Sequence, residues 1–128
     1  MEMGRLRLSS GSITQKDGAK GETMVLWYLR LRGYRLLERN YTVGHKEIDL
    51  IMRKGNTIAF VEVKSRRKID SKMPPRMNVD WNKRRNIIAA AGIYLAKNGL
   101  TRVIISFDIA EVDLDARKIT YIKNAFTD

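Results

Sequence analysis

A chain of 128 residues is sized for one domain, since compact domains cluster near about 100–150 residues. Its 25 Lys and Arg outnumber 14 Asp and Glu, and the resulting net charge of +11 favours a polyanionic partner, either nucleic acid or an anionic membrane face. Apolar residues at 44% exclude wholesale disorder, and the absence of Cys excludes disulfides, thiolate metal sites and a cysteine nucleophile.

Residues 1–20 are rich in Gly, Ser and Lys with little periodicity, which predicts a flexible tail, with a single folded domain over 21–128. Met1 to Ser12 lacks the apolar run of a secretory signal. The longest apolar run, Ile87 to Ala96, covers ten residues where about 20 are needed to span a bilayer. A cytoplasmic protein without a membrane partner is expected.

Val25, Leu26 and Leu29 recur at helical spacing, and Gly33 is placed to stop that helix. Trp27 is expected to lie against the core. Tyr34 to Tyr41 reads as a short strand. Glu47 to Arg53 and Thr57 to Lys64 read as two strands joined by a hairpin turn at Lys54-Gly55-Asn56. Ser65 to Val79 is a polar, basic loop containing Pro74-Pro75, long enough to suggest a functional role. A second helix follows over Asp80 to Asn98, with Asp80 as its cap, Gly99 at its end, and Ile87, Ile88, Ala91, Tyr94 and Leu95 on one face. Val103 to Ala110 and Lys118 to Ile122 complete the strands. The order α-β-β-β-α-β-β predicts an α/β fold, a mixed central sheet flanked by helices.

The hairpin carries the chemistry. Side chains alternate across a strand, so Glu62 and Lys64 share a face with Phe60, about 7 Å apart along the chain. Ala59, Val61 and Val63 turn the other way, towards a core. On the preceding strand Glu47, Asp49 and Ile51 share one face, and Ile48, Leu50 and Met52 the other. With Gly55-Asn56 central in the turn, Lys54 pairs with Thr57, and Asp49 falls directly across from Glu62. Opposed residues hold their Cβ atoms ~4.5–5.5 Å apart, where like charges are destabilising. A divalent cation such as Mg²⁺ would resolve that repulsion, since hard ions take oxygen ligands and often only one or two protein carboxylates. Lys64 beside such a pair can orient a water and stabilise charge on a phosphate. Two other readings remain for these residues: a solvated cross-strand ion pair at Glu62 and Lys64, or an Asp49 compensated by a nearby base with no metal.

Glu22 precedes Val25 by three positions and Leu26 by four, which extends the apolar stripe towards the sheet. Alone, it equally fits a first-turn acid favoured by the helix dipole. Lys83 precedes Ile87 by four and reads either as overhanging the same sheet end or as a surface lysine. His45, in a Gly-bounded turn, is expected in solvent. The run Lys64-Ser-Arg66-Arg67-Lys68, followed by Lys72 and Arg76, and the run Lys83-Arg84-Arg85 converge on one edge as a phosphate-binding surface. Trp81 is placed to stack on bases.

Lys20-Gly-Glu22, Tyr28 to Asn40, Glu47-Ile-Asp-Leu-Ile51, Phe60-Val-Glu-Val-Lys-Ser-Arg66, Lys83, Ala91 to Leu95 and Ser106-Phe-Asp-Ile109 together resemble the YraN-like family of uncharacterised bacterial proteins. That family is itself similar to PD-(D/E)xK nucleases, most closely archaeal Holliday junction resolvases. The resemblance runs from residue 20 to about 110 in matching order. It departs at Lys46, where many relatives carry Gly before Glu-Ile-Asp. It implies a restriction endonuclease-like fold. It also implies a catalytic set of Glu22, Asp49, Glu62 and Lys64, in which Asp49, Glu62 and the Val63 carbonyl hold Mg²⁺ or Mn²⁺ and Lys64 positions the attacking water. Arg66, Arg67, Lys68, Lys83 and Arg84 are the nucleic-acid-binding candidates. The expected activity is metal-dependent hydrolysis of DNA, with branched or recombination intermediates as candidate substrates and a homodimer as a candidate assembly. The competing expectation is a non-catalytic nucleic-acid-binding protein on a nuclease-like scaffold.

Overall fold

The computed structural model describes residues 13–67 and 81–127. Residues 1–12 of the expected tail, the Asp80 cap, Lys68 and the rest of the basic loop lie outside the described residues. In chain order the elements are α1 (Gln15–Arg30), β1 (Arg35–Val43), β2 (Lys46–Lys54), β3 (Thr57–Arg66), α2 (Trp81–Lys97), β4 (Ile104–Asp113) and β5 (Lys118–Phe126). This is the α-β-β-β-α-β-β order expected from the sequence.

Helix α1 begins at Gln15, well before Gly21, so residues 15–20 belong to the fold and not to a tail. The cause is local. The Asp17 N–H donates to Thr14 Oγ1 at 3.0 Å, satisfying one of the amides that a helix start leaves without a partner. The Arg67 guanidinium then holds the Asp17 carboxyl below the usual carboxylate range and ties the helix start to the end of β3. The helix closes as expected at Gly33, whose φ of 95° lets the Tyr34 N–H reach back to the Leu29 carbonyl at 3.0 Å. Helix α2 ends in the same way: Gly99 has φ 63° and the Leu100 N–H donates to Leu95 O at 2.9 Å.

The five strands form one sheet in the order β1-β2-β3-β4-β5. All pairs are antiparallel except β3 and β4, which run parallel because α2 carries the chain back between them. Helix α1 lies on one face, burying Val25, Leu26 and Leu29 against Leu50, Met52, Ala59, Val61 and Val112. Helix α2 lies on the other, burying Ile87, Ala90, Ala91 and Tyr94 against Ile51, Ile58, Phe60 and Ile109. Burying each large aliphatic side chain contributes about 1.5–3 kcal/mol, so both faces of β3 are stabilising. The Phe60 face, on which the polar residues sit, is therefore itself a core over most of its length. Trp27 departs from expectation and is 55% exposed. At 100° per residue it points away from the stripe of Val25, Leu26 and Leu29.

Below the second core, β5 bulges: pairing shifts between Phe107↔Phe126 and Ile109↔Ile122. Buried Asp108 holds the bulge, accepting from the Asn124 N–H at 3.0 Å, from Ser106 Oγ and from Tyr121 Oη. Burial against Asp108 pushes the Tyr121 hydroxyl up, so it stays protonated and donates. Asp108→Ala removes the acceptor of the Asn124 N–H and of Tyr121 Oη and leaves Ser106 Oγ only Asn124 Oδ1, and we expect a loss of about 3–5 kcal/mol in urea unfolding. A loss below about 1 kcal/mol would show the network to be dispensable.

Candidate active site

The β2–β3 register is the one that the turn dictates. Lys54 pairs with Thr57 around Gly55-Asn56, and pairing continues to Leu50 and Val61. The expected register would put Asp49 opposite Glu62 at the next step, but the ladder ends at Leu50↔Val61. Beyond it, the Val63 N–H donates to Asp49 Oδ2 at 2.8 Å. Strict alternation also fails at this point, since Ile48 joins Ile51 in the core beneath α2, whereas Leu50 packs beneath α1. Released from pairing with β3, the strand twists across Asp49. A carboxylate is thereby fixed at the point where two strands part.

Glu62 is 3% exposed, set between the two strands beside β4. Lys83 reaches it from the first turn of α2 and forms an ion pair with its carboxylate. Glu22 comes from the opposite face, on α1, and is held by Arg39 of β1 at 3.4 Å. Arg39 also donates to Ala19 O at 2.9 Å and Thr23 Oγ1 at 3.0 Å, so it clamps that turn of α1 against the sheet edge.

These side chains converge. One cavity of about 270 Å³ is lined by Glu22, Asp49, Glu62, Val63, Lys64 and Lys83, together with Gly18 and Ser65. A second of about 360 Å³ shares Asp49, Glu62 and Lys83 and continues past His45, Glu47, Asn82 and Asn86. Together they form a cleft at one end of the sheet, between the two helices. His45 is exposed as expected, yet it borders this cleft. Asn82 and Asn86 were not legible as site residues, although their i, i+4 spacing around Lys83 on α2 was a usable signal.

Electrostatics set the chemistry of the cleft. Burial, and next the nearby Glu62 charge, push Asp49 up to about 8, against the lowering by the Val63 N–H. Burial also raises Glu22, with Arg39 opposing it. Three acidic groups thus face one space with Lys83 on one of them. A divalent cation fits this donor set, which is oxygen-only and in which Asp49 and Glu22 are both raised. Among the described residues, no group of three or more His, Cys, Asp or Glu is drawn tightly enough to hold an ion unaided. Asp49, Glu62 and the Val63 carbonyl would have to share the ion with water or substrate oxygens, as Mg²⁺ commonly does.

The approach of α1 depends on Gly21. A Cβ there would stand 1.8 Å from Ser65 Oγ and 3.1 Å from Ser65 Cβ. Gly21→Ala is expected to destabilise by about 1–3 kcal/mol by pushing α1, and Glu22 with it, off β3. Ser65→Gly should recover most of that loss in the double variant, as measured by thermal unfolding. Independent, additive effects would refute the contact.

The nucleic-acid-binding candidates scatter. Arg67 spans Asp17 at 2.6 Å and Asp115 at 2.9 Å, tying α1 to the β4–β5 turn. Arg84 lies over the rings of Trp81 at 5.1 Å and Phe126 at 5.5 Å. Lys83 faces Glu62 and not an open basic surface. Each has found a partner within the fold, which charge counting along the sequence cannot reveal. Arg66 ends β3 beside Asp113. Trp81 is 75% exposed at the start of α2.

A mixed five-stranded sheet with a helix on each face and an acidic cleft at one end defines a restriction endonuclease-like α/β protein. Sequence comparison gives the particular family. The model of the uncharacterised protein family UPF0102 matches residues 21–112, and the chain belongs to that family. A UPF0102 protein of Alkaliphilus metalliredigens is 44% identical over 110 residues, covering 85% of this chain and 96% of the relative. One from Clostridioides difficile is 40% identical over 112 residues, covering 88% and 97%, and one from Legionella pneumophila is 36% identical over 115 residues, covering 89% and 97%. Among the described residues, no helix is long and apolar enough to cross a membrane.

Proposed function

We propose that the chain is a metal-dependent nuclease that hydrolyses phosphodiester bonds in DNA, branched or recombination intermediates being the candidate substrates. The observation that carries this reading is the meeting of Glu22, Asp49, Glu62 and Lys64 around one cavity, where burial and the Glu62 charge push the Asp49 carboxyl up. Mg²⁺ or Mn²⁺ bound by Asp49, Glu62 and the Val63 carbonyl would polarise a phosphoryl oxygen and acidify a water. The protein's own residues do the rest. The Val63 N–H fixes the Asp49 carboxylate in one orientation. Lys64, two residues beyond Glu62 on the same face of β3, holds the attacking water and the charge that develops on phosphorus. Arg39 keeps Glu22 aimed into the cleft from α1. A homodimer would present two such clefts to two strands.

The test sets purified protein against linear, flap and four-way DNA with Mg²⁺, Mn²⁺ or EDTA, beside calorimetric titration of Mn²⁺ into wild type and Glu62→Ala. Cleavage that requires metal, with heats lost in the variant, supports the enzyme. No cutting under any metal, and equal heats in both proteins, overturns it.

The second reading, a non-catalytic nucleic-acid-binding protein, draws on the Lys83–Glu62 ion pair, which neutralises one acid without any metal. It requires salt-sensitive DNA binding that survives EDTA and no cleavage.

A further inference from the structure

At the far end of β3 from the cleft lies a cavity of about 420 Å³, lined by Tyr34, Lys54, Thr57, Ser106, Lys123 and Asn124. Thr57 and Glu62 are five residues apart on one strand, about 17 Å at the rise of a β-strand, so the two spaces are separate. The cavity is built by tertiary structure. Lys54 ends β2 and Thr57 opens β3 across the hairpin turn. Lys123 and Asn124 arrive from the β5 bulge, where Asn124 has φ 51° and its N–H is anchored on buried Asp108. Bulges re-aim side chains, and this one turns a lysine and an amide into the cavity.

Its charge is unbalanced. Lys54 Nζ lies over the Tyr34 ring at 5.6 Å, and among the described residues no carboxylate pairs with either Lys54 or Lys123. Asp108, the nearby acid, is 1% exposed and enclosed by its three donors. Two ammonium groups, a threonine hydroxyl and a carboxamide around one polar space suit an oxyanion, and phosphate above all. More cations stand at the same end. Asn56 Nδ2 donates to the Arg102 carbonyl at 2.7 Å, which holds Arg102 beside the hairpin turn. Lys54 Cε sits 3.3 Å from where a Cβ on Gly33 would be, which places this lysine against the end of α1, where Arg30 is exposed. A lone small anion has no use for that wider basic rim, whereas a nucleic-acid backbone has.

We propose that the Lys54–Lys123 cavity binds a backbone phosphate of nucleic acid at a distance from the cleft, as a second contact that requires neither metal nor catalysis. It stands whether or not the cleft cuts.

The experiment measures binding of a fluorescent 30-base-pair duplex to the full chain in EDTA over a salt series. Lys54→Gln/Lys123→Gln is compared with wild type, and with Lys97→Gln/Lys118→Gln, which removes two exposed lysines that do not line the cavity. We expect the first double variant to bind about tenfold more weakly, with the log–log salt slope reduced by about two, and the second to stay near wild type. Equal effects in the two double variants, unchanged affinity in the first, or no duplex binding by wild type would each overturn the proposal. Titration with inorganic phosphate separates the sources: heat lost in the first variant while its duplex binding is unchanged means a free-phosphate site and refutes the backbone contact. Binding is read in EDTA, where metal-dependent cleavage cannot contribute, so failure of the nuclease reading and failure of this one are told apart.

Discussion

Lys64→Ala is expected to lower metal-dependent DNA cleavage by at least about 10²–10³-fold while leaving the heat of Mn²⁺ binding near that of wild type. Positioned proton-transfer and charge-stabilising groups contribute on this scale, and Lys64 lines the cleft without belonging to its acidic donor set. Asp49→Ala should differ in kind. It removes a carboxylate donor and the acceptor for the Val63 N–H together, so cleavage and Mn²⁺ binding should both disappear. Single-turnover rates with saturating DNA, read beside calorimetry on the same preparations, separate the two roles. If Lys64→Ala cuts as fast as wild type, the lysine is only part of the wall. If Asp49→Ala still binds Mn²⁺ normally, the ion belongs elsewhere.

The second large effect is on stability against pH. Asp49 ionises near 3.8 in the unfolded chain and is pushed up to about 8 in the folded one. Below about 4 both states carry the proton and its contribution is fully present. As pH rises from there towards 8, the unfolded chain releases the proton while the folded chain retains it, so stability is lost across that window and levels off above it. Glu22, also raised, adds a change of the same sign. Asp17 is lowered and acts in the opposite sense, but its position in solvent makes it the weaker influence. Asp49→Asn keeps an oxygen for the Val63 N–H and removes the titration. We expect the variant to be more stable than metal-free wild type at pH 8 by about 2 kcal/mol, with a flatter profile between pH 4 and 8. Urea midpoints in EDTA measure this. Adding Mn²⁺ should stabilise wild type increasingly as pH rises, because binding must release the Asp49 proton, and should do little for the variant. A wild-type profile that rises over the same window would show that Asp49 is ionised without help, and the case for a cation at this site would fall.

The sequence alone carried what depends on near neighbours in the chain. Gly55-Asn56 determined the hairpin register from Lys54↔Thr57 to Leu50↔Val61, which carried Asp49 and Glu62 to the same end of the sheet, whereas their direct pairing and the strict alternation of β2 gave way at Asp49. The stripe of Val25, Leu26 and Leu29 determined the face of α1, and glycines at 33 and 99 its end and that of α2. The first turn and a half of α1 was hidden, because residues 15–20 carry no apolar stripe and only the Thr14 cap marks the start. Tertiary structure decided the rest. Arg67 read as an open basic surface until the fold brought it to Asp17 and Asp115, distant in sequence, and of the two readings of Lys83 the fold chose the one over the sheet end, beside Glu62. The height of the Asp49 pKa follows from burial between two helices that no local pattern encodes, and the β5 bulge follows from Asp108 reaching across strands. Charge along a chain is additive, whereas its consequences depend on distance and on exclusion of water, and only folding sets those two.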